Sequence, residues 1–169
     1  MVTLAIAAIL ATMAIPDFTG SITRNRLTTY NNELVAALNL ARSEAIKRNQ
    51  QVIVRKTGAN WENGWHVFVD IDRSSPASDA NKFNDDGDNI LCETSEDCIL
   101  RVYSDLPADY TLRANSFINF IRYKPTGRIS LSTGGTFAIC KNGDTSESKE
   151  IIVITTGRTR LDSGNTCLL

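Results

Sequence analysis

The segment best suited to chemistry is Gly157-Arg158-Thr159-Arg160, close to the C-terminus. In an extended chain, residues two apart point to one side, which would set the two guanidinium groups about 7 Å apart on one surface. Each is planar, permanently charged and shaped to grip phosphate oxygens with two parallel hydrogen bonds. Gly157 lets the backbone turn sharply or approach a ligand closely, while Thr159 points the other way. Arg158 and Arg160 can equally serve as salt-bridge partners within a sheet, and residue types alone leave both uses open.

Other reactive side chains offer less. His66 is the only histidine. It stands in a strand-like alternation with Trp65, Val67 and Val69 and has no paired nucleophile or second ligand, which makes it a structural residue. Trp61 and Trp65 bracket a turn as packing anchors. Asn84-Asp85-Asp86-Gly87-Asp88 has the look of a calcium loop but misses the EF-hand register, because Lys82 lies two positions before Asn84 and no glutamate closes the loop. A solvated turn is the expectation there, with calcium at Asp85–Asp88 left open. No GxGxxG, P-loop, HExxH or GxSxG pattern occurs, and the cysteines lack the CxxC spacing of a zinc site. The sequence therefore assigns no catalytic residue, no metal and no cofactor, and it does not read as an enzyme.

The elements that must carry these residues follow from patterning. At 169 residues, 42% hydrophobic, 22% charged and with a formal net charge of -1, the chain has the size and balance of one globular domain. Residues 1–15 contain no charge and only Thr3 and Thr12 as polar side chains, an apolar helix of about 22 Å that falls short of the ~30 Å hydrocarbon core. From 27 to 48, Leu27, Tyr30, Leu34, Leu38, Ala41 and Ala45 recur every three or four positions with charges between them, so one helical face is apolar. Pro16 and Gly20 lie between the two halves, where a proline is expected to kink the rod.

Beyond residue 50 the pattern changes to short strands: 51–56, 65–70, 99–103, 117–123, 128–131, 136–140 and 151–155. Turn signals stand at Thr57-Gly58, Asn142-Gly143, Gly134-Gly135 and Pro125-Thr126-Gly127, the last two spaced as hairpin connections. One long helix followed by strands predicts an α+β fold, with an antiparallel β-sheet packed on the C-terminal half of the helix. Two units are expected: an apolar half-helix over 1–20, and a globular domain over 21–169 whose amphipathic helix occupies about 21–50. We read no internal repeat and no interdomain linker. Charge is polarised along the chain, since residues 70–97 hold nine acidic and two basic side chains while 122–161 hold seven basic and three acidic. Such separation can orient a subunit among charged neighbours or create an anion site.

The order of apolar helix, Ala14-Ile15-Pro16-Asp17-Phe18, and a polar helix containing Leu40-Ala41-Arg42-Ser43-Glu44-Ala45 resembles the N-terminal half of type IV pilins and pseudopilins. Gly64-Trp65-His66-Val67-Phe68-Val69-Asp70, then Ile118-Asn119-Phe120 with Gly127-Arg128, then Gly157-Arg158-Thr159-Arg160-Leu161 narrow the resemblance to the GspH/FimT family of minor pilins. Members of that family begin as prepilins, with a basic leader, a processing-site glycine, a phenylalanine that becomes the methylated N-terminus, and a glutamate in the first turn. None of these precedes Met1. The expectation is that about six mature residues and the leader are missing, which would bring the apolar run to about 31 Å, a full span.

The resemblance implies an inner-membrane anchor, a periplasmic globular domain, assembly with other pilin subunits through the helix, and a place in an extracellular pilus. In that compartment disulfides persist. Of the three pairings that four cysteines allow, Cys92–Cys98 would close a small polar loop and Cys140–Cys167 would tie the C-terminal tail to a strand. In FimT-like members the segment matching Gly157-Arg158-Thr159-Arg160 is associated with DNA binding in natural transformation, which makes Gly157, Arg158 and Arg160 the candidates. Lys141 and Lys149 are accessory candidates, and Arg122, Lys124 and Arg128 add charge in positions the sequence does not locate. No aromatic residue lies between 141 and 169, so contact would run through the DNA backbone and be indifferent to sequence. The alternative is a minor pseudopilin of a type II secretion system with a purely structural role.

Overall fold

The computed structural model describes residues 2–71, 83, 92, 96–164, 166 and 167, with side chains from Gly20 onward except that of Glu147. A single helix, α1, runs from Val2 to Arg48 without a break at Pro16 or Gly20, 47 residues that amount to about 70 Å. Leu27, Leu34, Ala37, Leu38, Ala41 and Ala45 are fully buried along one side, the stripe that the three-and-four spacing predicts. Lys47 and Arg48 in the last turn favour the negative end of the helix, and both reach back to Glu44, Arg48 at 2.6 Å and Lys47 at 3.4 Å. These bonds, the one from Arg48 first, hold the Glu44 carboxyl below its usual pKa. The helix stops at Asn49, whose φ of 52° is left-handed.

Among the described residues eight strands follow: β1 (Gln51–Lys56), β2 (Trp65–Asp70), β3 (Cys98–Tyr103), β4 (Tyr110–Ala114), β5 (Phe120–Tyr123), β6 (Gly135–Lys141), β7 (Asp144–Val153) and β8 (Thr159–Ser163). They form two antiparallel sheets rather than the one expected, ordered β3-β2-β1-β5 and β4-β6-β7-β8. The helix packs on both, touching β1 and β2 of the first and β6 and β7 of the second. Between the layers lies one core that includes Val52, Val54, Trp65, Val67, Leu112, Phe117, Tyr123, Phe137, Ile139, Ile151 and Val153.

Several strand expectations need correction. The run 128–131 is not a strand; a tight turn reduces it to one bridge between Ile129 and Tyr123. The run 117–123 begins only at Phe120, because Phe117 is buried as a core ring and its carbonyl accepts the Trp61 indole N–H at 2.7 Å. Gly134-Gly135 is no hairpin turn; Gly135 opens β6, where a Cβ would run into the Phe117 ring. The hairpin sits instead at Asn142-Gly143, with both residues left-handed and Lys141 paired with Asp144. Sequence reading missed β4 and β8 altogether.

Candidate functional site

β7 ends at Val153, and the chain reverses through Ile154-Thr155-Thr156-Gly157-Arg158 before Thr159 pairs back with Val153. Two backbone hydrogen bonds close the turn: the Gly157 N–H donates to the Ile154 carbonyl at 2.8 Å, and the Ile154 N–H donates to the Arg158 carbonyl at 3.1 Å. Gly157 has φ of 79°, a left-handed conformation that side chains disfavour. It is also buried, and a Cβ there would fall on the carbonyl oxygen of Gly127 and crowd the Tyr123 ring. Glycine is thus required twice, once by conformation and once by contact. Tyr123 itself is buried, and that burial pushes its hydroxyl pKa well up, with Arg42 opposing the shift.

The turn presents its arginines to solvent. Both Arg158 and Arg160 are exposed. Among the described residues the Arg158 guanidinium makes no hydrogen bond or ion pair. Arg160 lies on β8 opposite Ile152 and reaches Asp162 at 3.4 Å, with 71% of its side chain open to water and 48% of its partner's. An ion pair that exposed is screened and worth little, so it leaves Arg160 able to exchange its carboxylate for a phosphate. Of the two arginines, Arg160 alone has an internal ion pair among the described residues, and that pair is open to water.

The accessory lysines lie elsewhere. The Lys141 ammonium donates to the Thr23 hydroxyl at 3.1 Å, sits 3.7 Å from Asp109 and lies over the Tyr110 ring. It stands at the other end of β7, whose ten residues span about 30 Å. Lys149 pairs with Ser163 and shares the helix-facing side of β7 with Ile151, beside Thr28, Asn31 and Asn32. Neither joins Arg158 and Arg160.

Two disulfides are present, Cys92–Cys98 and Cys140–Cys167, the second with a Cα–Cα distance of 5.6 Å. The latter brings the tail after β8 back onto β6, and Gly164 and Thr166 add bonds to the Ser148 carbonyl and the Glu150 carboxylate. His66 is opposite Arg55 and packs against the rings of Phe68 and Phe83. Burial first, then the Arg55 charge, lowers its pKa. Trp61 and Trp65 are buried. Among the described residues no group of His, Cys, Asp or Glu is arranged to hold a metal ion; the stretch Asp85–Asp88 lies outside them.

Sequence reading missed Arg42. Its Nε donates to the Gly127 carbonyl at 3.1 Å, fastening the helix to the turn after β5. The signal was the buried Ala41 and Ala45 flanking it one helical turn apart.

The family model described as type II transport protein GspH matches residues 31–157, from the middle of α1 to the glycine of the turn. The chain belongs to the GspH family. Membership makes the chain GspH/FimT-like, and the role that goes with it is that of a minor pilin or pseudopilin assembling with other pilin subunits. Family membership also implies a membrane-anchored periplasmic component. Among the described residues no helix is long and apolar enough to cross a membrane. The fold is similar to that of the type IV minor pilin FimU of Pseudomonas aeruginosa strain PAO1, at 24% identity and TM-score 0.61 over 83% of this chain and 90% of that one. It is also similar to that of the minor pseudopilin EpsH from the type 2 secretion system of Vibrio cholerae, at 14% identity and TM-score 0.50 over 80% of this chain and 94% of that one. No curated protein matches the chain significantly.

Proposed function

We propose that this minor pilin joins a type IV pilus and binds DNA through Arg158 and Arg160 for uptake in natural transformation. Residues 1–20 serve as inner-membrane anchor before assembly and as helix core of the fibre afterwards, and residues 21–169 form the part that faces the periplasm and then the exterior. The observation that carries the DNA reading is the exposed Arg158, without a partner among the described residues, on a turn whose backbone is held by two hydrogen bonds and by contact with Gly127. With the turn's backbone already held, only the Arg158 side chain has to be ordered when it meets a phosphate. With no aromatic residue in 141–169 to stack on bases, binding is sequence-independent.

The test is duplex-DNA binding by the purified chain, followed by fluorescence anisotropy across a salt series. Affinity should fall with a log-log slope of roughly -2 to -4, for about two to four phosphate contacts. Arg158→Ala with Arg160→Ala should remove most of the binding and leave the thermal unfolding midpoint unchanged. Unchanged affinity in that folded double variant rejects the assignment. The second reading, a structural pseudopilin of a type II secretion system, is favoured by the family's description as a type II transport protein. It expects no DNA binding by the parent chain.

A further inference from the structure

The turn after β5 copies the turn after β7. Lys124-Pro125-Thr126-Gly127-Arg128 and Ile154-Thr155-Thr156-Gly157-Arg158 share Thr-Gly-Arg at their last three positions. In the first turn the Gly127 N–H donates to the Lys124 carbonyl at 2.8 Å and the Lys124 N–H to the Arg128 carbonyl at 2.8 Å, the same two bonds that close the second. Both glycines are left-handed, with φ of 73° and 79°. The turns also touch: a Cβ on Gly157 would strike the Gly127 carbonyl, and the Ile129 N–H donates to the Thr155 carbonyl at 3.3 Å. Arg128 and Arg158 therefore leave equivalent positions of two turns packed against each other. Both are exposed, as is Lys124. Among the described residues the Arg128 and Lys124 side chains, like that of Arg158, make no hydrogen bond or ion pair.

We infer that the paired turns form one phosphate-binding ridge and that Arg128 is a DNA-binding residue alongside Arg158, with Lys124 on the same turn adding a further contact. This rests on the DNA reading above. A DNA strand carries a phosphate every ~3.4 Å of its axis, so arginines on touching turns meet neighbouring phosphates of one backbone. Arg42 holds the first turn in place through the Gly127 carbonyl, and its guanidinium adds positive potential beneath the ridge. DNA is favoured over an anionic membrane by position. Arg42 lies 22 residues, or about 33 Å of helix, beyond Gly20, so the ridge stands far from the apolar end of α1.

The test uses the purified full chain, a short duplex DNA and a salt series. Arg128→Ala and Arg128→Gln should each weaken binding about 5- to 10-fold at low salt and reduce the magnitude of the salt slope by about 1, as Arg158→Ala does. Arg128→Lys, which keeps the charge, should retain most of the slope. Lys141→Ala, at the far end of β7, should change neither quantity. A parent chain that binds DNA and loses binding with Arg158→Ala and Arg160→Ala, yet is unaffected by either neutral Arg128 variant, overturns the ridge and leaves the functional reading intact. A parent chain that binds no DNA, or that binds anionic phosphatidylglycerol vesicles in its place, overturns both.

Discussion

The two sheets carry nearly the same number of apolar residues through their central strands but differ in how far their edge strands open to water, β8 more than β3. In the first, Val52, Ile53 and Val54 on β1 and Val67, Phe68 and Val69 on β2 are all buried, so both faces are covered. The helix covers one, and the other carries Phe83 against Phe68 and His66. In the second, β6 is likewise buried from Phe137 to Cys140, but the edge strand β8 is open from Arg160 to Ser163. Charged side chains on that edge, Arg160 and Asp162, discourage pairing with another strand and stay in water. The two sheets thus treat particular polar residues differently: the first packs the half-buried His66 ring against Phe68 and Phe83, and the second leaves Arg160 and Asp162 of β8 in water. The twin turns at Gly127 and Gly157 are where the sheets meet, which ties the displayed charges to the buried layer.

The largest effect expected from this division concerns the disulfides. Cys140–Cys167 spans 27 residues, including the whole of β7 and β8, whereas Cys92–Cys98 spans six beside the first sheet. Loop-closure entropy makes the longer bridge worth about 3.5 kcal/mol and the shorter about 2. Replacing Cys140 and Cys167 by serine should therefore cost more in denaturant unfolding than replacing Cys92 and Cys98, and should expose β8 amides to hydrogen exchange first. Equal losses would mean that the exposed edge does not depend on its tether.

Next come the left-handed glycines at the two ends of β7. Gly157→Ala adds a Cβ against the Gly127 carbonyl on top of the left-handed strain, a combined loss of about 3 kcal/mol. Gly143→Ala meets nothing within 4 Å and bears only the conformational term, about 1 kcal/mol. Urea unfolding of the two variants separates them. A loss at Gly143 as large as that at Gly157 would remove the distinction between a glycine needed for a turn and one needed for contact between turns.

How much of this was legible in the sequence depends on whether the cause is local. The helix was, because Leu27, Leu34, Leu38, Ala41 and Ala45 mark one face by spacing alone. The α+β class followed from it. The split into two sheets was not, since it is decided by β5 choosing β1 and β4 choosing β6, partners far away in the chain. β4 carried a readable alternation in Tyr110 and Leu112, too short to stand out. β8 carried none: its one apolar residue, Leu161, is 51% exposed, and the strand exists because β7 offers an edge. At the candidate site, Arg158 and Arg160 were legible as charge, while the placement of Lys141 at the far end of β7 and of Lys149 on the opposite sheet face from Arg160 required the geometry. The repeated Thr-Gly-Arg was visible as a string of letters, but its meaning lies in a contact across 30 residues.

The smallest effect tests the covered sheet through its histidine. Burial and then Arg55 lower the His66 pKa below its usual 6.5, so the folded protein takes up a proton at that ring less readily than the unfolded chain does. Above about pH 6.5 the ring is neutral in both states and contributes no difference. As pH falls below that value, the unfolded chain binds the proton first, and stability declines until the folded-state pKa is passed. This is the only histidine in the chain, so replacing it isolates its share of any decline in the window just below about pH 6.5. His66→Gln should flatten the stability profile in that window and leave unchanged the salt slope of the DNA binding proposed above. A profile that keeps its slope in the variant would place the titrating group elsewhere and undo the contrast between a histidine packed against the first sheet and an arginine left in water on the second.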